Sequence, residues 1–436
     1  MLENNFWRYA VFGAFLTTLS FSCKSPTGPR TSYNVQLSAQ DVGCTEVWLK
    51  IGFADSPNGG DFAINRVPQT GSSNGTTVIS GHFSGKDTTV VDDNVQANKT
   101  YNYIAYRMVN GRPSEQSQTL QVRTMDTTSN NWTFQTFTFG GSQSSVLNDV
   151  AIINDTLAYA VGEVYGYDST GQVDQQPYGI AKWDGRSWSL IRLLDNAGYP
   201  LTPIRGIFVV SPNDIWLAAG SVYHWDGISS QAQLSFSRLT LSDPNATIEK
   251  LWGTSSSSLY GIGNAGTIIW YNGTVWQKLT SGTTTGINDV WGVGNSPVYC
   301  AVSNPFDPNE DKRILRITGG NKVDTIKWIG RHVNSVWTPD GTHLYACGDG
   351  VFENDGSGWK KMVTGASIGT SSIRGNANND IVVVGGYGFI AHWNGASFRI
   401  YPPAMDVIYT SVAITGNLIV AVGTTGAKAV VTIGRR

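Results

Sequence analysis

Short segments in which apolar and polar residues alternate fill most of the chain from residue 33 onward, and turns rich in Gly, Asn and Asp separate them. Successive side chains of a β-strand point to opposite faces, so alternation with a period of two predicts half-buried strands. Long segments with the helical period of 3.6 residues do not occur after the first 22 residues. The pattern therefore predicts an all-β protein.

Seven segments of similar form follow one another in the larger, C-terminal part of the chain. Each has two polar residues, an aliphatic anchor, a turn, a second aliphatic strand and a glycine, and several continue with an aromatic residue and an Asx-Gly turn that favours a tight hairpin. The seven anchors are Val150, Ile207, Leu251, Val290, Val336, Ile373 and Val412, and successive anchors lie 37 to 57 residues apart. Four strands in such a repeat are typical of a propeller blade. We expect a β-propeller over residues 131–436 with seven blades, six being the alternative.

The last repeat is too short to form a complete blade. Only 24 residues follow Val412, which is enough for about three strands. Residues 132–139, before the first anchor, alternate and begin with an aromatic residue, as an outermost strand does. This segment is predicted to complete the last blade and to close the ring.

Residues 33–125 show a different pattern, without the propeller repeat. Alternating strands are predicted at Val35–Ala39, Val47–Ile51 and Thr100–Tyr106, and an Asn-Gly turn precedes a final strand over residues 117–124. The Tyr-x-Tyr strand, the turn and the last strand resemble the final hairpin of a fibronectin type III domain. The resemblance implies an Ig-like sandwich that spaces or docks other domains and carries no chemistry.

The repeats themselves also resemble a known group. An aliphatic residue, Trp and Gly follow one another at residues 251–253 and 290–292. This start distantly resembles the bacterial propellers grouped with sialidase-type and photosystem-assembly-type repeats. The resemblance implies the propeller architecture.

The first 32 residues have the features of an export segment. An apolar stretch over residues 9–19 is too short to span a bilayer and has the length of a signal-peptide core. Residues 19–23 then resemble a bacterial lipobox that ends at Cys23. We expect a signal peptide at 1–22 and a lipidated Cys23 with a tether over 23–32. This implies an extracytoplasmic protein, anchored to the bacterial outer membrane or cell surface by the lipid alone, or otherwise a secreted one.

Composition argues against several classes of function and site. A formal net charge of −2 and the absence of clustered Lys and Arg argue against nucleic-acid binding, which needs cations to replace counterions. Four cysteines are too few for a disulfide framework, and Cys44, Cys300 and Cys347 lie in strand patterns and are predicted to be buried thiols. The five histidines lack the short spacings of metal sites, and no phosphate or dinucleotide loop is present. We therefore expect neither a metal nor a cofactor, and the sequence carries no signal for an oligomeric state.

The residues before the anchors are the candidate binding site, because the inner strands of a propeller start at one rim of its channel. The ring consists of Asn148, Arg205, Glu249, Asn288, Asn334, Ser371 and Thr410. Its mixed polarity suits a neutral or zwitterionic ligand such as a sugar, and hydrated loops without a ligand are the alternative. Tryptophans directly follow three of the anchors, at Trp252, Trp291 and Trp337. Their position favours packing between blades over stacking against a ligand.

Two functions follow from these observations. The first is a non-catalytic binding or scaffold protein that recognises a glycan or a surface protein through a propeller face. The alternative is a carbohydrate-active enzyme whose acids would be Glu249, Asp289 and Asp149, since glycoside hydrolysis needs two carboxyl groups about 5–10 Å apart. No catalytic motif is present, so binding is favoured.

Overall fold

The computed structural model describes residues 34–68, 75–141, 144–168, 170–172, 174–294, 297–304, 306–307, 309–402 and 406–436. The predicted signal peptide, Cys23, the tether and residue 33 lie outside these residues. The described chain forms 36 β-strands and one 3₁₀ helix, Arg238–Thr240. An all-β fold is confirmed.

The first eight strands form two facing sheets. They are β1 (Val35–Val42), β2 (Val47–Phe53), β3 (Gly60–Val67), β4 (Thr76–Phe83), β5 (Asp87–Asp92), β6 (Thr100–Val109), β7 (Arg112–Gln116) and β8 (Leu120–Arg123). One sheet has the order β1-β2-β5, and the other has the order β4-β3-β6-β7 with β8 also paired to β6. Leu49, Ile64 and Tyr103 are buried between the sheets, so the unit is a sandwich with its own core.

Two details of the sandwich differ from the expectation. The final strand predicted over residues 117–124 begins only at Leu120, as β8, and a separate strand, β7, lies between the Asn-Gly turn and this segment. In the break between β7 and β8, the Ser117 hydroxyl donates to the carbonyl of Gln118 and accepts from the backbone of Ala105. Cys44 lies in the turn between β1 and β2 and not in a strand, although it is buried as predicted. The Asn-Gly turn is present, with positive φ at Asn110 and Gly111.

Seven antiparallel four-stranded sheets, which we number blades 1 to 7, make up the rest of the described chain. Blade 1 has β10 (Val146–Asn154), β11 (Leu157–Val164), β12 (Tyr178–Trp183) and β13 (Trp188–Ile191), and blade 2 has β14 (Gly206–Ser211), β15 (Asp214–Ala219), β16 (Ser221–Trp225) and β17 (Gln233–Phe236). Blade 3 has β18 (Lys250–Ser255), β19 (Ser258–Ile262), β20 (Ile268–Tyr271) and β21 (Trp276–Leu279), and blade 4 has β22 (Ile287–Trp291), β23 (Val298–Val302), β24 (Arg313–Thr318) and β25 (Lys322–Lys327). Blade 5 has β26 (Val333–Trp337), β27 (Leu344–Gly348), β28 (Val351–Asn354) and β29 (Trp359–Met362), and blade 6 has β30 (Thr370–Ala377), β31 (Asp380–Gly385), β32 (Ile390–Trp393) and β33 (Phe398–Ile400).

Blade 7 joins the two ends of the propeller. It contains β34 (Val407–Thr415), β35 (Leu418–Thr425), β36 (Lys428–Arg435) and, as its outermost strand, β9 (Thr133–Phe139). Phe137 pairs with Val431, and the Thr136 and Thr432 hydroxyls lie 2.9 Å apart. The predicted closing strand is confirmed. The innermost strand of each blade contacts the innermost strands on both sides, so the ring is complete and no sheet edge is left open at the junction.

Aromatic residues just after the anchors fill the space between neighbouring blades. Trp252 packs on Gly292 of the next blade, where a Cβ atom would lie 2.8 Å from its Cη2 atom. Trp337 packs on Gly375 in the same way, with a corresponding distance of 2.7 Å. The indole therefore needs a glycine opposite it, because a larger residue would displace the ring.

The direction of the strands defines two faces of the propeller. Since strands in a blade alternate in direction, the connections between blades and the loops from second to third strand lie where the innermost strands start. We name this the start face. The loops from first to second and from third to fourth strand lie on the opposite side, the end face.

The sandwich docks on the end face at blades 5 and 6. The ring of Trp48 meets that of His343 edge-on with centroids 5.6 Å apart. The Asn379 side-chain amide donates to the carbonyl of Asp126 at 2.6 Å, and Gly395 lies against Cys44. The start face is on the other side of the ring.

Candidate functional site

Charged side chains from blades that are not direct neighbours meet inside the channel, deeper than the predicted ring. Asp149 of blade 1 is buried, and Lys250 of blade 3 reaches across to donate to its Oδ1 atom at 2.8 Å. Ser411 of blade 7 donates to the same oxygen at 2.8 Å, and the backbone of Ile207 donates to Oδ2 at 3.1 Å. One carboxylate thus ties four blades together.

A second carboxylate is held in the same manner by the other side of the ring. Arg374 of blade 6 donates from both Nη atoms to the two oxygens of Asp289 in blade 4, each at 2.8 Å. Ser335 of blade 5 donates to Asp289 at 2.5 Å. The guanidinium of Arg374 also lies 4.5 Å from the ring centroid of Trp291. Together the two clusters form a charged layer across the channel.

The electrostatics of this layer do not suit a general acid. Burial raises the pKa of Asp289, but the charge and hydrogen bonds of Arg374 and the charge of Lys250 outweigh it, and the pKa lies below its usual value. A catalytic acid needs a pKa near the working pH, and its proton must be within reach of a ligand. The third acid of the enzyme alternative, Glu249, lies at the rim, with its Oε2 atom 3.7 Å from Nε of Arg205.

The predicted ring lies at the start of the innermost strands, as expected, but most of its side chains contact the next blade. Asn148 donates to the carbonyl of Ile204, Asn288 to that of Val333 and Asn334 to that of Thr370, at 2.8 to 3.1 Å. Thr410 donates to the carbonyl of Leu147 at 2.7 Å, across the junction of blades 7 and 1. Ser371 is half-buried at the equivalent position, and Arg205 is exposed. Four of the seven residues therefore join blades.

A cavity of about 360 Å³ occupies the channel on the other side of the charged layer. Residues of the innermost strands of six blades, from the charged layer onward, line it, and none of the seven ring residues does. Its walls include Ile152, Phe208, Val209, Trp252, Trp291 and Ile414, and its floor includes Asp149, Lys250 and Arg374. Sequence reasoning missed Arg374, although it is the one charged residue at the position directly after an anchor.

Exposed apolar side chains are distributed unequally between the two faces of the described propeller. The loops of the start face carry seven large ones, at Tyr167, Tyr199, Leu239, Phe306, Ile329, Val363 and Tyr387. The loops of the end face carry two, Ile228 and Val275. Phe306 and Val363 are 94% and 90% exposed, so no other part of the described chain packs closely against them.

Titratable groups also meet where the sandwich docks. The Nδ1 atom of His343 lies 3.0 Å from Oδ2 of Asp340 in its own blade and 3.5 Å from Oδ2 of Asp41 in the sandwich. The hydrogen bond to Asp340 raises the pKa of His343 above its ordinary value, although burial opposes it. Burial raises the pKa of the neighbouring Glu46 and Glu353. Ionisation at this contact is therefore coupled to docking.

Two further histidines and the three described cysteines have structural surroundings. His224 and His392 lie at equivalent positions in blades 2 and 6, and each contacts the Asp at the start of the second strand, at 2.8 and 2.7 Å. Cys44, Cys300 and Cys347 are free and buried, and burial raises the pKa of the Cys44 thiol to about 11 and that of Cys347 to about 12. Such thiols are poor nucleophiles at neutral pH. Among the described residues, no helix is long and apolar enough to cross a membrane.

Comparison with known proteins supports the fold. No protein-family profile matches the chain, and no curated protein matches it. A solved structure of YCF48 bound to D1 peptide is similar over 70% of this chain and 95% of that chain, with a TM-score of 0.52 and 14% identity. YCF48 from Cyanidioschyzon merolae is similar over 68% and 98%, with a TM-score of 0.49 and 12% identity. The first likeness shows that the chain is a β-propeller.

Proposed function

We propose that this protein is a non-catalytic binding scaffold that recognises a protein partner through the start face. The observation that carries the proposal is the unequal distribution of exposed apolar side chains in the described loops, seven on the start face against two on the end face. Single exposed apolar residues are ordinary on protein surfaces, whereas their concentration on one face is typical of an interaction site.

The position of the sandwich agrees with this proposal. It covers part of the end face at blades 5 and 6, and the start face is left accessible to a partner. Aromatic residues such as Phe306 and Tyr387 are enriched in protein interfaces, because each supplies a large contact area with little loss of side-chain freedom. YCF48, which has the same fold, has been solved with a bound D1 peptide, and this is compatible with a protein or peptide ligand here.

A glycan ligand receives less support. Sugar recognition relies on free hydrogen-bonding groups, and Asn148, Asn288, Asn334 and Thr410 each direct a donor to a neighbouring blade. Catalysis receives less support too, because Asp149 and Asp289 are buried and paired with cations. A glycan is therefore an outcome to be tested alongside the protein partner.

We also propose that the protein acts outside the cytoplasm, held to the membrane by a lipid on Cys23. The support is the apolar stretch at residues 9–19 and the lipobox-like residues 19–23. Growth of expressing bacteria with a labelled fatty acid should label the wild type and leave Cys23→Ser unlabelled. Equal labelling of both would contradict the lipid anchor.

Site-specific crosslinking tests the proposed face. Photoreactive p-benzoylphenylalanine is introduced on the start face at Phe306, Val363 or Tyr387, and the matched controls carry it on the end face at Ile228 or Val275. All five positions are exposed, so the probe replaces side chains that make few contacts. Irradiation of intact cells should yield one common adduct from the start-face positions, identified by mass spectrometry.

Three other outcomes would count against the proposal. Adducts of equal yield from both faces would indicate non-specific collision. Adducts from the end face alone would show that the partner binds the end face and not the start face. Retention on a glycan array without any protein adduct, lost in the Arg205→Ala, Glu249→Ala double variant, would replace the protein partner with a glycan.

A further inference from the structure

The channel cavity combines apolar walls with a charged floor, and the proposed start-face function makes no use of it. It is lined by innermost-strand residues from the charged layer onward and lies on the side of that layer away from the start face. We propose that this cavity binds a small carboxylate whose body is aromatic or aliphatic.

The charges at the floor favour an anionic group. Lys250, Arg374 and Asp149 border the cavity, whereas Asp289 lies behind Arg374 and does not line it. The cavity therefore meets two cations and one anion, although the four-residue layer as a whole is neutral. Attraction between opposite charges is stronger in such a water-poor site than in solvent, so the excess cation is an effective partner for a carboxylate.

One N–H donor of Lys250 has no partner among the described residues and is left for a ligand at this floor. An ammonium group has three N–H donors, and Lys250 directs two of them to Asp149 at 2.8 Å and to Ser411 at 3.5 Å. Both Nη atoms of Arg374 are engaged by Asp289, which fixes the guanidinium in place. The two cations are thus held rigidly before a ligand arrives, and binding costs little side-chain freedom.

The walls favour an apolar body of limited size. Trp252, Trp291 and Phe208 present aromatic surface to the cavity, and Ile152 and Ile414 add aliphatic surface. Aromatic rings pack against such walls edge-on or in offset stacks. At about 360 Å³ the cavity is near the lower end of the range for small-molecule sites, so the ligand is a small one.

A series of three probes that differ only in the charge of the head group tests the proposal on the unaltered protein. They are 3-phenylpropionate, 3-phenylpropanol and 3-phenylpropylamine, titrated by calorimetry and by quenching of tryptophan fluorescence. One molecule of the carboxylate should bind per chain, about tenfold more tightly than the alcohol, because an ionised acceptor forms the stronger hydrogen bonds. The amine should bind most weakly.

Variants locate the site. Lys250→Met keeps the length of the side chain and should abolish the preference for the carboxylate, and Trp291→Leu should weaken all the probes and reduce the quenching. Lys278→Met makes the same change at an exposed residue of blade 3 outside the channel and should bind as the wild type does.

Two results that would overturn the proposal come from the wild type and need no variant to fold. Absence of binding by all three probes, or equal binding of carboxylate, alcohol and amine, would refute the carboxylate site. Binding that Lys250→Met and Trp291→Leu both leave unchanged, with their melting temperatures preserved, would place the ligand elsewhere. Each of these results is independent of crosslinking at the start face.

Discussion

Buried charges in the channel are each matched by an opposite charge from a different blade. Asp289 receives four hydrogen bonds from Ser335, Val336 and Arg374, and its partner Arg374 is only 7% exposed. Breaking such a pair leaves an uncompensated charge in a dry site, which costs far more than breaking a pair at the surface. At the scale of the residue, stability therefore depends on each buried charge keeping its oppositely charged partner.

We expect Asp289→Asn to lower the free energy of unfolding by about 3–5 kcal/mol, because Arg374 stays buried without its anion. Urea denaturation followed by circular dichroism measures the change. Glu249→Gln is the matched control, since its partner Arg205 is close to half exposed, and it should cost less than about 1 kcal/mol. Equal losses of unfolding free energy in both variants would show that the buried pair contributes no more to stability than the exposed one.

At the scale of the element, the closing strand depends on contacts beyond its own ladder. Arg436 follows β36 and donates to both oxygens of Asp380 in blade 6, at 3.0 and 2.6 Å. Its guanidinium also lies 4.5 Å from the ring centroid of Trp132, just before β9. One side chain thus links blade 6, the last strand of the chain and the first strand of the propeller.

Arg436→Ala should destabilise the propeller by about 2–4 kcal/mol, since it removes charge-assisted hydrogen bonds to a buried carboxylate. The thermal unfolding midpoint and the protease sensitivity of β9 report the change. Arg435→Ala removes a neighbouring arginine that makes one long hydrogen bond, to the Asp155 carbonyl at 3.3 Å, and should lie close to wild type. A similar shift of the unfolding midpoint in both variants would show that the loss of a positive charge alone explains the effect.

At the scale of the whole molecule, the sandwich and the propeller are joined by a contact that titrates. The acidic groups near His343 are Asp340 and Glu353 in its own blade and Asp41 and Glu46 in the sandwich. A histidine whose folded pKa is raised stabilises the folded contact below its ordinary value of 6.5, and this contribution is lost as the pH rises through the raised pKa. The raised pKa values of Glu46 and Glu353 act in the same direction, because each buried carboxyl favours its protonated form.

Docking should therefore strengthen as the pH falls from about 8 to about 6. Calorimetric scans across this range measure the unfolding temperature of the sandwich in the full chain, which should rise on acidification. His343→Gln should flatten this dependence. The control His82→Gln alters an exposed histidine of the sandwich that pairs with Asp61, and should keep it. A pH dependence that survives in His343→Gln would place the titrating group elsewhere.

Local patterns in the sequence determined the all-β fold, the propeller repeat and its closing strand. These features depend on periodicity and on turn chemistry, which residues close together in the chain decide, so the start of each inner strand and the pairing of residues 132–139 with the last blade could be predicted. The paired strands β9 and β36 lie almost 300 residues apart along the chain. The pairing could still be predicted, because in a closed ring the incomplete last blade lies next to the segment that precedes the first blade.

Tertiary structure alone decided what the polar residues do. Asn148 and Asn288 look like free ligand-binding groups in the sequence, but each meets a backbone carbonyl of the next blade. Arg374 lies on the channel floor because Asp289, two blades away, receives it. The apolar start face could not be predicted from the sequence either. Its residues come from loops within three blades and from four connections between blades. Long-range contacts determine which polar groups remain free, and a local pattern contains no information about them.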